Sequence, residues 1–567
     1  ATIFASSIHA YHRANLLVDS TLNSFSTLAY SSLHENNEVY TFREAMNQDD
    51  SADFVRAMVK EVEDHESRNH WTMVPRSETD GKKTILSIWS FKRKRSPSGE
   101  LLKHKARLCA HGGMQKWGES YWETYSPTVN WLSVRALLAI SLINNLSTST
   151  IDFTLAFPQV DLDIDVFMEL PTGMVGPDGS RKRYVLKLNK SLYGLKQASH
   201  NWFMYLCNSL ENRGYVASSS DKCVFFKEGI ILLIYVDDIL IIGQDDSIVN
   251  DFKKSMQEGS EGFVFTDGGS VESYLGVQVE KRADGSLKLY QPFLIDRIIK
   301  LVMGDRPLNS SYVPAGKDLL HKDVDGPARK HDFNYRQVVG MLSYLQGTTR
   351  PDISTATHAC ARFCTDPKLS HEKAIIKLLR YLVHTRNEGL IIKPDKAKGI
   401  ECFVDASFAP GWKSDDADNA TNLLSRTGYV IMFAGCPVHW SSKMQTEIAL
   451  STAEAEYIAL SQAMREVIPF MRLIAEISVV FPTNTSKPML FCKVFEDNEA
   501  CISMVNSPKF TPRTKHIALK YHHFRSWVDK GLIQVIHIGT TEQTADIFTK
   551  PLERGPFEYL RKKLCGW

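Results

Sequence analysis

The sequence predicts an α+β protein of several domains, in which hairpins and helices come first and a separate αβ set comes last. The chain has 567 residues, which corresponds to roughly three to five domains, because a single hydrophobic core stops growing well before this length. Hydrophobic residues make up 43% and charged residues 23%, which excludes a wholly disordered, collagenous or coiled-coil protein. Helical and strand periodicities alternate along the chain.

The charge balance and the cysteines limit the partners and the cellular compartment that the sequence predicts. Lys and Arg number 67 against 65 Asp and Glu, so a net charge of +2 gives no global attraction for polyanions. Any nucleic-acid site is therefore a local patch. The ten cysteines include no C-x-x-C pair, and we expect free thiols in a reducing, intracellular compartment. We expect no membrane association, because the most apolar segment, 230–242, is short and contains two aspartates.

For the first half of the chain, the sequence predicts an extension followed by helices and strands. Residues 1–40 are rich in Ser, Asn and Thr and predict a weakly ordered extension. The predicted helices lie at 41–71, 133–145 and 199–212. The predicted strands form a hairpin of 84–94 with 101–110 around the turn 96–99, a strand at 149–157, a pair within 230–242, and a hairpin of 274–281 with 286–290.

The second half predicts a helical segment followed by the αβ set. Residues 293–390 predict mainly helix, and the composition changes near residue 400. The predicted pieces of the αβ set are strands at 401–404, 490–495 and 532–538, a hairpin around Gly428 and Gly435, and helices from Thr452, over 499–505 and after Thr544.

The hairpin at 84–110 concentrates Lys and Arg against a single acid, Glu100. A charge run of this kind is usually a solvated surface. However, Lys105 and Arg107 alternate with apolar residues, so in a strand both cations project from one face. This arrangement predicts a grip on a triphosphate or on a backbone phosphate.

Asp237 and Asp238 occupy the tip of a predicted hairpin whose arms are apolar. One interpretation is a solvated turn. The other is a divalent-cation site that Asp152, at the end of another apolar strand, completes. Three acids around two Mg²⁺ ions suit nucleotidyl transfer, in which one ion activates a primer 3′-hydroxyl and the other holds the triphosphate.

A second set of acids follows strands or opens helices in the αβ set: Asp405, Glu454, Asp497 and Asp546. Helix capping explains most of them singly, and Ser451 with Glu454 forms an S-x-x-E capping box. Capping does not explain Asp405, which directly follows an apolar strand. It also does not explain why all four acids occupy positions that the edge of one sheet could bring together. Two-metal hydrolysis of a phosphodiester needs such a cluster. Glu456 competes with Glu454 for the helix position, and we predict Glu454, because the two lie about 200° apart around a helix.

Six segments resemble, in order, those of reverse transcriptases of copia-type LTR retrotransposons: KARL at 105–108, SPTV at 126–129, IDFTLAF at 151–157, LYGLKQA at 192–198, YVDD at 235–238 and YLGV at 274–277. The resemblance implies that Asp152, Asp237 and Asp238 bind the polymerase metals. It also implies that Phe157 is an aromatic gate against a 2′-hydroxyl. The alternative interpretation of this residue is an ordinary core aromatic. The implied substrate-binding set is Lys105, Arg107, Phe157, Tyr193, Gly194, Tyr235, Tyr274 and Gly276, with 274–279 in a primer-grip hairpin.

Four later segments resemble the ribonuclease H domain of the same polyproteins: WSSK at 440–443, ALSTAEAEY at 449–457, RTKHI at 513–517 and QTADIFTK at 543–550. The resemblance implies that Asp405, Glu454, Asp497 and Asp546 are the catalytic and metal-binding quartet of the nuclease. His537 is either a general base or a structural residue. We interpret His516, His522 and His523 as backbone-phosphate contacts rather than metal ligands.

The resemblance implies a right-hand polymerase followed by an α/β ribonuclease H-like domain. The predicted boundaries are fingers and palm at 41–290, a mainly helical thumb and connection at 291–395, and the nuclease at 396–567. The implied function is RNA- and DNA-directed DNA synthesis with degradation of the RNA strand of hybrids, using two Mg²⁺ per site, or Mn²⁺. The alternative is a catalytically idle nucleic-acid-binding subunit.

The expected partners are an RNA template, a DNA primer, RNA/DNA hybrid and dNTPs, with a homo-oligomer or other Pol products left open. The expected location is a cytoplasmic virus-like particle, with the DNA destined for the nucleus.

Overall fold

The structure, a computed structural model, describes residues 39–95, 100–258, 262–317, 320–412, 422–481, 491–507 and 519–567. The chain divides into two compact units, each discontinuous in sequence. The first unit comprises the described residues up to Thr128 together with 152–214 and 256–266, and the second comprises 129–151, 215–255 and 267–567. The linear boundaries given above stay predictions. Of the predicted extension 1–40, residues 1–38 lie outside the described residues, as does the predicted turn at 96–99.

Strands and helices alternate along the first part of the chain. The elements are β1 (Val39–Tyr40), α1 (Phe42–Met46), α2 (Ser51–Ser67), β2 (Trp71–Pro75), β3 (Ser87–Arg95), β4 (Leu101–Ala110), α3 (Trp131–Asn144), β5 (Ser147–Phe153), β6 (Asp161–Glu169), β7 (Tyr184–Lys190) and α4 (Ala198–Asn212). They continue with β8 (Val216–Ala217), β9 (Val224–Lys227), β10 (Ile230–Tyr235), β11 (Asp238–Gly243), α5 (Asp246–Gln257), β12 (Phe265–Gly269), β13 (Ser273–Tyr274), β14 (Val277–Lys281) and β15 (Leu287–Tyr290).

Helices dominate the next part before a second group of strands. The elements are α6 (Pro292–Met303), α7 (Tyr335–Thr348), α8 (Ser354–Ala361), α9 (Leu369–His384), β16 (Leu390–Ile392), β17 (Ile400–Ser407), β18 (Arg426–Phe433), β19 (Cys436–Met444), α10 (Thr452–Val480), β20 (Cys492–Glu496), α11 (Glu499–Asn506), α12 (Arg525–Asp529), β21 (Ile533–His537) and α13 (Arg554–Cys565). The predicted α+β class is confirmed.

The first unit contains two three-stranded sheets, in the orders β1-β3-β4 and β2-β7-β6. The apolar side chains of α2, including Phe54 and Met58, share one buried core with Phe91 of β3 and Leu108 of β4. The alternation of apolar and charged residues in β4 therefore directs Leu108 inward and leaves Lys105 exposed. The predicted basic hairpin is confirmed.

A six-stranded sheet in the order β12-β5-β11-β10-β9-β8 carries the strands of the central apolar segment. Strands β10 and β11 pair along their whole length, from Ile230 opposite Gly243 to Tyr235 opposite Asp238. Both faces of the two strands are buried, which explains why their sequence is continuously apolar rather than alternating.

The strand predicted at 149–157 ends earlier than expected. Strand β5 stops at Phe153, and a short 3-10 turn covers Phe157–Gln159. Leu155 has a left-handed backbone with φ of 52°, which a strand cannot accommodate, and Pro158 removes a ladder donor.

The final sheet has the order β19-β18-β17-β20-β21 and underlies the second acid set. Strands β17, β18 and β19 are antiparallel, whereas β17, β20 and β21 run parallel, so the carboxyl ends of β17 and β20 meet at one edge. The helix predicted directly after Thr544 is instead a short 3-10 turn, Thr544–Phe548, and α13 begins only after Pro551. Proline cannot donate the hydrogen bond that a continuous helix needs.

One further difference lies at the end of the helical part. The segment 293–390 is mainly helical as predicted, but its last residue begins strand β16, which joins a sheet of order β13-β14-β15-β16. In the described part of the chain, no helix combines the length and the apolarity needed to cross a bilayer.

Candidate active sites

Asp237 and Asp238 lie at the tip of the β10–β11 hairpin, as the sequence predicts. Tyr235 pairs with Asp238, so Val236 and Asp237 form a two-residue turn. Val236 has φ of 52°, a conformation that a β-branched residue adopts only under strain of about 1–3 kcal/mol. Both aspartates are partly exposed at the end of an otherwise buried hairpin.

Tyr274 lies close to this tip within the second unit. Burial and the negative charge of Asp238 raise the pKa of its phenol well above the ordinary value, and its hydroxyl has no hydrogen-bond partner within the described part of the chain. The next two residues, Leu275 and Gly276, form a tight turn with φ of 49° and 77°. Tyr344 of α7 donates a hydrogen bond to the Leu275 carbonyl, and this contact fixes the turn.

Asp152 is the penultimate residue of β5, the strand next to β11 in the six-stranded sheet. Its neighbours Ile151 and Phe153 are buried, whereas Asp152 is exposed. Alternation along the strand therefore points this carboxylate away from the core. Its role as a metal ligand stays a prediction.

In the first unit, three of the predicted substrate-binding residues lie together. The guanidinium carbon of Arg107 is 3.7 Å from the centroid of the Tyr193 ring. The ring of Phe157 lies 4.8 Å from the same ring, and Phe157 is partly exposed. Lys105 is exposed and projects from the same face of β4 as Arg107. Phe157 packs against the buried core of the first unit but is itself only partly buried, so its role as a gate stays a prediction.

Close backbone contact explains the glycine after Tyr193. Gly194 has φ of 92°, and a Cβ atom there would lie 2.1 Å from the Ala110 carbonyl oxygen. Tyr193 accepts a hydrogen bond from the backbone of Ala110 at 2.7 Å. The loop is thus held against the end of β4, and only glycine fits this position.

In the second unit, three acids form a carboxylate cluster at the edge of the last sheet. Asp405 near the end of β17, Glu456 on α10 and Asp497 after β20 each offer an oxygen within 4.8 Å of the others. Asp405 accepts a hydrogen bond from the Thr549 hydroxyl. Asp546 lies beside Asp405, and Lys550 contacts Asp546 at 2.9 Å. The sheet therefore brings Asp405, Asp497 and Asp546 to one edge, which is where the sequence places them.

The predicted helix acid needs correction. The structure brings Glu456, not Glu454, into the carboxylate cluster. Glu454 accepts a hydrogen bond from the Leu450 backbone at 2.8 Å, and its own N–H donates to Ser451 at 3.2 Å, so it takes part in capping α10. The periodicity argument separates the two glutamates correctly, but it does not determine which helix face meets the sheet.

Burial and mutual repulsion raise the pKa values of three acids at this edge of the sheet, Glu456, Asp546 and Glu496. Burial and the charges of Glu496, Asp405 and Asp497 raise the pKa of Glu456 to about 11. Burial and Asp405 raise the pKa of Asp546 to about 7. Glu496, which the sequence analysis missed, is fully buried beside the cluster, and burial raises its pKa to about 8. Its position next to Asp497 at a strand end was the available signal.

These residues fit a divalent cation. Mg²⁺ and Mn²⁺ prefer carboxylate oxygens, and the cluster consists of carboxylates only. The Oε2 atom of Glu456 is buried and has no hydrogen-bond partner among the residues that the structure describes. A buried acceptor in this state is costly unless a cation or a proton satisfies it.

The histidines take different positions. His537 ends β21 and is exposed. The Nδ1 atom of His522 lies 2.7 Å from the Tyr457 hydroxyl, and that of His523 lies 3.5 Å from the Ser461 hydroxyl, so each contacts α10. His516 lies outside the described residues. Phosphate contacts by these histidines stay predictions.

Comparisons with known proteins agree with the predicted family. Residues 68–315 match the reverse transcriptase (RNA-dependent DNA polymerase) family. The chain is 31% identical over 550 residues to the retrovirus-related Pol polyprotein from transposon TNT 1-94 of Nicotiana tabacum, over 95% of this chain and 39% of that protein. It is 32% identical over 514 residues to the corresponding polyprotein from transposon RE1 of Arabidopsis thaliana, over 90% of this chain and 33% of that protein.

The chain therefore spans 33–39% of the length of these two relatives. Among solved structures, it is 11% identical to a foamy viral protease-reverse transcriptase in complex with dsDNA, with a TM-score of 0.42 over 86% of this chain and 83% of that chain. The sequence matches agree with the family predicted above: most of the chain is similar to the Pol polyproteins of copia-type retrotransposons, and its residues 68–315 match the reverse transcriptase family.

Proposed function

We propose that this chain is an RNA- and DNA-directed DNA polymerase that also degrades the RNA strand of RNA/DNA hybrids. The observation that carries the polymerase part is the reverse transcriptase family match, because residues 68–315 include every predicted polymerase residue. The observation that carries the nuclease part is the carboxylate cluster, which lies outside that match.

For DNA synthesis, we assign the metal ligands to Asp152, Asp237 and Asp238. Lys105 and Arg107 bind the triphosphate, since both cations project from one face of β4. Phe157 and Tyr193 pack together and restrict the sugar and base of the incoming nucleotide. The turn at Leu275 and Gly276, fixed by Tyr344, positions the primer strand.

For hydrolysis, we assign the metal ligands to Asp405, Glu456, Asp497 and Asp546. Thr549 and Lys550 orient Asp405 and Asp546 through a hydrogen bond and an ion pair. When bound, two Mg²⁺ or Mn²⁺ ions would neutralise the acids and lower the pKa of the attacking hydroxyl or water at each site. The RNA strand is recognised through its A-like geometry and 2′-hydroxyls rather than its sequence.

The remaining assignments follow from this activity. The partners are RNA template, DNA primer, hybrid and dNTPs. We place the reaction in a cytoplasmic virus-like particle, with its DNA product delivered to the nucleus.

The test of the polymerase is extension of a DNA primer on an RNA template with dNTPs and Mg²⁺. We expect extension by the parent and none by the Asp237→Asn/Asp238→Asn double variant. The matched control is Asp245→Asn/Asp246→Asn, which changes an exposed aspartate pair in the same unit and should extend normally. Asn preserves the capping of α5 by residue 245.

Equal activity of parent and double variant would contradict the assigned metal site. Absence of extension by all three proteins, with hybrid binding retained, would favour the idle nucleic-acid-binding subunit. The nuclease is tested separately on a labelled RNA/DNA hybrid with Asp497→Asn, which should abolish cleavage while leaving primer extension largely intact.

A further inference from the structure

Arg135 of α3 is buried, with 1% of its surface exposed, and it connects three segments of the second unit. Its Nε–H donates a hydrogen bond to the Thr348 carbonyl at 3.2 Å. Its terminal nitrogens donate to the carbonyls of Gly347 and Thr348 and, at 2.7 Å, to that of Val438. Gly347 and Thr348 end α7, whereas Val438 lies on β19. One side chain therefore joins α3 and the end of α7 to the sheet that carries the carboxylate cluster.

The end of α7 can accommodate this buried cation. The last carbonyls of a helix have no partner within the helix, and they lie at the negative end of its dipole. A guanidinium presents its donors in a fixed fork, so it can bind several carbonyls at once. Trp440 of β19 adds two contacts: its ring centroid lies 3.9 Å from the guanidinium carbon of Arg135, and its Nε1–H donates to the Gln346 carbonyl at 2.9 Å. The last turn of α7 is thus held from β19.

Gln291, which directly precedes α6, binds the same helix end. It is buried, and its side-chain oxygen accepts hydrogen bonds from the hydroxyls of Thr348 and Thr349 at 2.5 Å and 2.9 Å. Its side-chain nitrogen donates to the Gly276 carbonyl at 3.3 Å. A carbonyl can only accept, so this contact requires the nitrogen of the amide to face Gly276. Gln291 therefore connects the end of α7 to the turn at Leu275 and Gly276.

The turn at Leu275 and Gly276 is held by both of its carbonyls. Tyr344 of α7 donates to the Leu275 carbonyl, and Gln291 donates to that of Gly276. The polar side chains between this turn and β19 are buried, so leaving them without partners is costly and one arrangement is favoured. The contacts run without interruption from the turn to β19. We refer to the residues that form them as the anchoring network: Gln291, Thr348, Thr349, Arg135 and Trp440.

We propose that the anchoring network positions the primer strand for nucleotide addition, with Arg135 and Gln291 as positioning residues and β19 as part of their support. This inference deepens the proposed polymerase function, on which it rests, because that function assigns primer positioning to the turn at Leu275 and Gly276. Reacting atoms must lie about 3–3.5 Å apart, and a misplacement of about 1 Å can cost about a hundredfold in rate. A turn that buried side chains hold in place meets this requirement. The sheet assigned to hydrolysis therefore also supports DNA synthesis.

The first experiment uses the full chain and Trp440→Phe, which keeps an aromatic ring beside Arg135 and removes the hydrogen bond to the Gln346 carbonyl. Primer extension on an RNA template gives kcat and the KM for primer–template, and hybrid cleavage is measured on the same preparations. We expect this KM to rise about fivefold, as for the loss of one hydrogen bond, with hybrid cleavage unchanged. A loss of folded protein would instead lower kcat and leave KM unchanged.

The matched control is Trp527→Phe, the same change at a partly exposed tryptophan of the same unit. Trp527 of α12 lies against Arg472 of α10, and its contact is separate from the anchoring network. Its KM for primer–template should equal that of the parent. An unchanged KM in Trp440→Phe would overturn the proposal, and so would an equal rise in both variants.

The second experiment asks whether Arg135 and Gln291 act through one support. Arg135→Lys keeps the charge but not the fork of donors, and Gln291→Met removes the donor and the acceptor at similar length. Each single variant should raise the KM for primer–template, and the double variant should raise it no more than the larger single change. A double variant whose rise equals the product of the two would overturn the proposal. Should Arg135→Lys fail to fold, Trp440→Phe takes its place in this comparison.

Hydrogen exchange of the backbone amides at 274–279 separates failure of this inference from failure of the proposed polymerase. Exchange there should be faster in Trp440→Phe than in the parent and unchanged in Trp527→Phe. A parent that never extends a primer, but whose exchange responds in this way, would refute the polymerase and retain the anchoring network. A parent that extends primers, with exchange or KM insensitive to Trp440, would refute the positioning role alone.

Discussion

The central guanidinium carbon of Arg107 lies over the Tyr193 ring, 3.7 Å from the ring centroid. The contact combines a cation–π attraction with restriction of a long side chain, so Arg107 is held in place before any ligand arrives. Phe157 contacts the same ring. The three side chains therefore link the predicted phosphate grip on β4 to the predicted sugar gate after β5.

Replacing Arg107 with lysine should weaken nucleotide binding although the charge is kept. Lysine loses the contact of the guanidinium with the Tyr193 ring and the paired donors that suit a phosphate. We expect the KM for dNTPs to rise about tenfold, equivalent to about 1.4 kcal/mol, with kcat less affected. Steady-state incorporation on an RNA template measures both constants. Lys103→Gln, an exposed change on the same strand, serves as the control, and equal KM values for the three proteins would refute the grip.

Replacing Phe157 with valine should admit ribonucleotides. The phenyl ring is partly exposed and packs against Tyr193, so shortening it opens space beside the bound nucleotide. We expect the preference for dNTP over rNTP to fall at least about tenfold, measured as the ratio of their kcat/KM values. Incorporation of dNTPs by the same variant reports on folding. Unchanged sugar discrimination would assign Phe157 to the core instead.

Glu456→Gln and Glu454→Gln should separate catalysis from capping. Glu456 lies in the carboxylate cluster, so its neutral replacement should lower hybrid cleavage at least about a hundredfold. Glu454 caps α10, so its replacement should lower the free energy of unfolding by about 1 kcal/mol and leave cleavage largely intact. The reverse pattern would restore the assignment made from sequence.

This pair of glutamates shows where prediction from sequence ends. Asp405, Asp497 and Asp546 were predictable because each stands at a strand end or helix start, where the topology of one sheet collects them. The choice on α10 depends on the rotation of a helix about its axis against the sheet. Both glutamates are buried in the structure, so the hydrophobic pattern did not distinguish them.

The same limit applies to backbone detail. The hairpin of β10 and β11 was predictable from two apolar runs around a short polar turn. The early end of β5 was not, because it depends on a left-handed conformation at Leu155, a residue type that gives no turn signal.

The carboxylate cluster should make metal-free stability fall as pH rises. The folded-state pKa values of Asp546 and Glu496 are raised to about 7 and about 8, compared with about 4 in the unfolded chain. The folded protein then holds more protons than the unfolded one, so the free energy of unfolding decreases from about pH 4 to about pH 8. Thermal unfolding in EDTA across this range should show a falling Tm.

Two comparisons check the cause of this pH dependence. Glu496→Gln keeps the shape of the side chain without the titration, so its Tm should fall less steeply. Added Mg²⁺ should raise the Tm more at pH 8 than at pH 5, because metal binding requires deprotonated acids. A parent whose Tm is independent of pH in EDTA would show that these acids do not couple proton binding to the free energy of unfolding.

Gly194→Ala should destabilise the first unit more than its dihedral angle alone predicts. A methyl group there would lie 2.1 Å from the Ala110 carbonyl oxygen, on a backbone with φ of 92°. The control is Gly179→Ala in the same unit, where φ is 76° but nothing lies within 4 Å of the added carbon. We expect a loss of about 1 kcal/mol for Gly179→Ala and at least about 3 kcal/mol for Gly194→Ala. Because Tyr193 precedes the altered residue, the KM for dNTPs should rise in Gly194→Ala only. Equal losses in the two variants would mean that the loop moves freely away from β4.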